Sequence, residues 1–163
     1  MTHYPIMFTW RDVVSGHGYL AGVTLYGTAL ITKEDDGKWW AYGVRPGAIA
    51  DFGETAQEAL SKFHERYKMV LYDFAGEVTN FDAFKNEVEK FYTQPDQEEE
   101  DRWMQAVLAI RNGKVDVEAP FNALPRENPE KRPTGVSIQA LNEMQRFTPM
   151  DNIPDIYRFA AAA

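Results

Sequence analysis

The chain has 163 residues, 25 acidic and 17 basic side chains, a formal net charge of -8 and no cysteine, which sets the expectation of one acidic domain. The missing cysteine excludes a disulfide scaffold, a thiol nucleophile, a thiolate zinc site and an iron–sulfur cluster. Hydrophobic residues at 44% and aromatic residues at 13% exclude a disordered chain.

Tyr4 to Val14 carries β-branched and aromatic residues and reads as a strand, followed by a turn at Ser15-Gly16-His17-Gly18. Gly22 to Thr32 (GVTLYGTALIT) reads as a second strand. It ends at Glu34-Asp35-Asp36-Gly37, a hairpin signal, and Lys38 to Val44 (KWWAYGV) returns as its antiparallel partner. Arg45-Pro46-Gly47 makes a bend, because proline presets φ and glycine permits the turn, and Ala48 to Phe52 is a short further strand. Thr55-Ala56-Gln57-Glu58 is a capping box that opens a helix. Behind it Ala59, Leu60, Phe63, Tyr67, Val70, Leu71 and Phe74 recur at helical spacing, a stripe expected to cover one face of the sheet. Gly76 stands where a left-handed C-terminal cap is expected.

Asn80 caps a second helix whose Phe81, Phe84, Val88 and Phe91 share a face and which ends by Pro95. Asp96 and Glu99 form another capping pair, and Glu98, Glu99, Glu100 and Asp101 suit the positive end of the helix dipole. Trp103, Met104, Val107, Leu108 and Ile110 are expected on the buried side of that third helix, which Asn112-Gly113 stops. Lys114 to Ala119 alternates as a strand does. Pro120, Pro125, Pro129 and Pro133 predict an exposed loop. Ser137 is expected to cap a short helix through Met144, and Asp155 a last turn ending in Ala160 to Ala163.

The N-terminus MTHYPIMFTWRD has no basic region followed by an apolar core, and no apolar run approaches the roughly 20 residues of a membrane helix. A soluble cytoplasmic protein is the expectation. The acidic balance repels phosphates, so non-specific nucleic-acid binding is not expected, and a basic protein partner is compatible.

His3, His17 and His64 share no metal spacing. His17 reads as an exposed turn residue and His64 as an interfacial or half-exposed helix position. Asp35, Asp36, Asp51 and Glu54 near strand ends are the residue types that bind magnesium or exchange protons. The hairpin turn already accounts for Asp35 and Asp36, and the helix entry for Glu54. There is no nucleophile elbow, P-loop or G-x-G-x-x-G. No cofactor or metal is expected. Gly135-Val136-Ser137 with Leu141 resembles the turn and second helix of a helix-turn-helix, but Pro129 and Pro133 occupy the place of the first helix.

Trp39, Trp40 and Tyr42 cluster on one strand, with Trp40 and Tyr42 on one face and Trp39 on the other. Core packing accounts for one face. An exposed aromatic face makes a protein-binding surface, because aromatic residues dominate interface hot spots.

Taken together, ALITKEDDG, KWWAYGVRPGAIADFGET and AQEALSKFHERYKMVL, within residues 22–72, resemble the N-terminal domain of HicB-type antitoxins. Trp40, Pro46, Gly47, Gly53, Glu54, Thr55, Glu58, Ala59 and Leu60 stand at the places matching that family's pattern. The resemblance implies a β-β-β-α core, a reduced relative of the ribonuclease H-like sheet generally without catalytic carboxylates. It implies a protein that masks a small basic toxin. The chain departs from the family at Ala48, where the family often has cysteine. It also departs in the segment before Gly22, and after Gly76, where two extra helices follow and no complete DNA-binding motif does.

The expectation is a single α+β domain over 1–163. It has an antiparallel sheet covered by an amphipathic helix, a HicB-like core at 22–76, further helices and a strand at 77–119, and a proline-rich tail at 120–163. The functional expectation is a non-enzymatic interaction module whose partner surface is Trp39, Trp40, Tyr42 and Arg45, with a sheet edge open to self-association. Two alternatives stand beside it. One is a metal-dependent hydrolase or nuclease using Asp35, Asp36, Asp51 and Glu54. The other is a phage-type structural or accessory protein.

Overall fold

Alternation along the first strand, β1 (Thr2–Ser15), decides which side chains meet which layer. Tyr4, Ile6, Phe8, Trp10, Asp12 and Val14 point to one face, and His3, Met7 and Thr9 to the other. The structure, a computed structural model, describes residues 1–94, 96–131, 134–142 and 156–160. A turn with Gly18 at φ 76° returns the chain as β2 (Leu20–Lys33), which pairs with β1 along its whole length. Pro5 is tolerated in this ladder because its carbonyl accepts from Ala160 N at 3.0 Å, so its missing N–H belongs to the side away from β2.

The acidic hairpin turn, with Gly37 at φ 88°, leads into β3 (Trp39–Arg45), and the Arg45-Pro46 bend into β4 (Ala50–Gly53). Helix α1 (Ala56–Glu77) begins at Thr55, whose hydroxyl accepts from Glu58 N, while a Glu58 carboxylate oxygen accepts from Glu54 N. Gly53 is required at this entry. A Cβ there would lie 2.8 Å from the backbone nitrogen of Ala59. Two more helices follow, α2 (Phe81–Tyr92) capped by Asn80 and α3 (Gln97–Arg111) capped by Asp96. Two short 3-10 helices, Phe121–Ala123 and Pro129–Lys131, and strands β5 (Gly135–Leu141) and β6 (Ile156–Phe159) complete the described elements.

The fold is α+β, with a six-stranded antiparallel sheet and three α-helices among the described residues. The order runs β4-β3-β2-β1-β6, and β5 shares the outer edge of β2 with β3. Residues 28–33 of β2 pair with β3, and residues 20–26 with β5. Ala59, Leu60, Phe63, Tyr67 and Leu71 of α1 share a core with Tyr4, Ile6, Phe8 and Trp10, and Phe84 and Val88 of α2 join it. Each large side chain buried there contributes about 1.5–3 kcal/mol. On the opposite face Trp103, Ala106 and Val107 of α3 pack on Met7, Leu30 and Val44. No helix among the described residues is long and apolar enough to cross a membrane.

Five expectations are corrected. Gly76 is not a left-handed cap: α1 continues to Glu77, and Val78 N donates to Phe74 O. Met104 and Leu108 face outward, because α3 buries only the narrower stripe Trp103, Ala106, Val107 and Ile110. Residues 114–119 form no strand, lying as irregular chain. The segment expected as a helix from Ser137 is strand β5 instead, which also replaces the helix-turn-helix resemblance; Met144 lies outside the described residues. The last turn is replaced by β6, and Asp155 and residues 161–163 lie outside the described residues.

Candidate functional site

Pairing of β3 with β4 sets Phe52 opposite Trp40. Alternation then places Tyr42 beside Trp40 on the same face. The three rings form a continuous strip. Trp40 stacks on Tyr42 at 5.6 Å with planes 9° apart, and Trp40 meets Phe52 at 5.0 Å. Phe52 is 40% exposed, while Trp40 and Tyr42 are half-buried. Lys38 and Lys62 hold their ammonium groups 5.8 Å and 5.5 Å from the Phe52 ring centre, within cation–π reach. Burial raises the Tyr42 hydroxyl pKa, and the carboxylates of Glu34 and Glu99 raise it further, so the strip stays uncharged at neutral pH.

The end of the strip is guarded at the sheet edge. Asp51 Oδ1 accepts from Phe52 N at 2.8 Å, and its Oδ2 accepts from Arg66 Nε at 2.9 Å. The first bond occupies an amide of the edge strand β4 that would otherwise be open to strand pairing, and the second holds the carboxylate in place. Arg45, at the far end of β3, donates from Nε to Glu100 at 2.6 Å.

Trp39 does not belong to this surface. It is 8% exposed and lies on the other face, against Tyr4 and Phe121 at 5.9 Å each. Its successive position in a strand puts it into the α1-side core, so the expected patch reduces to Trp40, Tyr42 and Arg45, and gains Phe52. Phe52 is readable only once the β3–β4 register is known.

Three of the four carboxylates that suggested a metal have separate partners. Asp35 accepts from the N-terminal amino group at 2.8 Å, Asp36 from Lys38 N at 2.9 Å, and Asp51 from Arg66. Glu54 gives its backbone N–H to Glu58 at 2.8 Å. Among the described residues, no group of three or more His, Asp or Glu side chains is placed to hold a metal ion.

A second polar feature lies in the core. His64 Nε2 meets both carboxylate oxygens of Asp12, at 3.0 and 3.2 Å, and both side chains are 8% exposed. Of the interfacial and half-exposed positions expected for His64, the structure shows the interfacial one, buried between α1 and β1. The imidazole stacks on Trp10 at 4.2 Å with planes 6° apart, and Trp10 Nε1 donates to the Tyr157 hydroxyl at 3.1 Å. Lys68 Nζ stands 3.9 Å from Asp12. Burial, then the Asp12 charge, pushes the Tyr67 hydroxyl pKa far above its ordinary value. The network ties β1, α1 and β6 together. A buried carboxylate is stable only with such a partner. Its signal in the sequence is Asp12 itself, the single charged residue on the Tyr4–Val14 core face.

No family model, curated protein or solved structure matches the chain. The geometry above therefore carries the functional reading.

Proposed function

We propose that the chain is a non-enzymatic, HicB-like interaction module of the antitoxin type, which binds a small basic protein in the cytoplasm through the outer face of β3 and β4. The observation that carries this reading is the aromatic strip Trp40–Tyr42–Phe52, half-buried along β3 and exposed at Phe52, set on rigid strands rather than on a loop. Stacked aromatic residues offer large contact area with few rotors to immobilise, which is why they anchor interfaces. The net charge of -8 favours encounter with a basic partner. The order β2, acidic turn, β3, bend, β4, α1 supports the HicB-like reading, since it is the element order the resemblance implies.

Site-specific photo-crosslinking in the producing cell tests it. A photoreactive phenylalanine at Phe52 is expected to capture a small basic protein, identified by mass spectrometry. The same group at Tyr72, exposed on α1, is expected not to capture it. Capture from position 72 and not from 52 contradicts the reading.

A further inference from the structure

A cleft of about 400 Å³ opens on the same face of the sheet, where the start of α3 crosses the end of β3. Its walls are apolar. Met7 and Val44 are buried beneath it, Trp103 closes one side, and the exposed Met104 forms a flexible lip. Its rim is acidic, with Glu100 and Asp101 from α3 and Glu130 from the following loop. Arg45 engages Glu100 at 2.6 Å, and Arg111 lies 3.8 Å from Glu130. Asp101 is bonded at 3.1 Å to the neutral amide of Gln97, and among the described residues no cation stands within ion-pair distance of it. An apolar cleft with a few convergent polar groups is the usual form of a binding pocket.

We propose that this cleft is the anchor pocket for an arginine side chain of the basic partner, a proposal that rests on the functional reading above. Arginine matches both parts of the site. Its apolar stem lies along the Met7, Val44 and Trp103 wall, while its guanidinium meets the carboxylates of Asp101 and Glu130 at the rim. The planar guanidinium is more weakly hydrated than an ammonium and bonds carboxylates in a fork, so arginine is favoured over lysine. Arg45 links the pocket to the aromatic strip, because it follows Tyr42 on β3 and bonds α3 at the pocket rim.

The test titrates Nα-acetyl-arginine-N-methylamide into the full chain, following the Met7 and Met104 methyl groups and the Trp103 indole by NMR. The lysine and norleucine analogues serve as the charged and neutral comparisons. Saturable shifts at these three residues are expected. The arginine probe is expected to bind about tenfold more tightly than norleucine, as one charged hydrogen bond gives. Asp101→Asn combined with Glu130→Gln, both at the surface, is expected to remove that preference while circular dichroism stays unchanged. Absence of saturable shifts, equal binding of norleucine or lysine, or an unaltered preference in the double variant overturns the proposal. The probe needs no partner. Probe binding with failed capture at Phe52 therefore counts against the functional reading alone, and capture with no probe binding counts against the pocket alone.

Discussion

Two adjacent tryptophans show how far a single side chain's role follows from its place in a pleat. Trp39 packs between Tyr4 and Phe121, while Trp40 stacks on Tyr42 at the outer face. Trp39→Ala is expected to lower stability by about 3–5 kcal/mol, and Trp40→Ala by no more than about 1.5 kcal/mol. Urea denaturation of the two variants checks the difference. The alternation was readable from the sequence, but which of the two faces met α1 was not, because that depends on the packing of a distant helix. The Asp12–His64 pair was half-readable. A carboxylate in register with Tyr4, Ile6, Phe8 and Trp10 marks a buried charge, but its partner on α1 emerges only from the fold. Asp12→Ala leaves a buried imidazole nitrogen without that hydrogen-bond partner and is expected to cost about 1–3 kcal/mol, measured the same way.

Glu99 gives the pH signature at this scale. Burial pushes its carboxyl above the ordinary 4.5, against the pull of Arg102. A carboxyl whose folded pKa exceeds its unfolded one favours folding below the unfolded pKa and loses that contribution as pH rises through the folded pKa. Glu99→Gln is therefore expected to gain stability relative to the parent chain between about pH 4 and pH 7, read from urea midpoints across that range. A relative loss over the same range contradicts the buried environment assigned to Glu99.

Elements whose chemistry is local were readable; those that depend on distant partners were not. The capping groups Thr55, Asn80 and Asp96 each accept the amide three residues on, as their spacing implied. Thr55→Ala is expected to cost about 1 kcal/mol, seen as an earlier midpoint in chemical denaturation. Residues 135–141 presented both a cap-like serine and the alternation Val136, Ile138, Ala140. The free half of the β2 edge decided for a strand. Residues 114–119 alternate equally well yet meet no free edge, so they remain irregular. For α3 the apolar positions were identified, but the sheet face accommodates only the stripe through Trp103 and Val107, which leaves Met104 and Leu108 outside.

At the scale of the molecule, helices lie on both faces of the sheet: α1 and α2 pack on one, and α3 on part of the other. That asymmetry is what leaves the Trp40–Tyr42–Phe52 strip only partly covered beside α3. The α+β class was readable from the strand-rich first third and the capped helices behind it. The sharing of one β2 edge by β3 and β5 was not, since nothing near residues 20–33 announces it. The central claim is that this strip holds the partner, and the decisive measurement is calorimetric titration of the crosslinked partner, once purified, against three forms of the chain. Trp40→Ala with Phe52→Ala is expected to weaken binding at least about a hundredfold, as the loss of two hot-spot residues does, with Tyr72→Ala within about twofold of the parent. Equal affinity for the double variant and the parent chain would contradict the account.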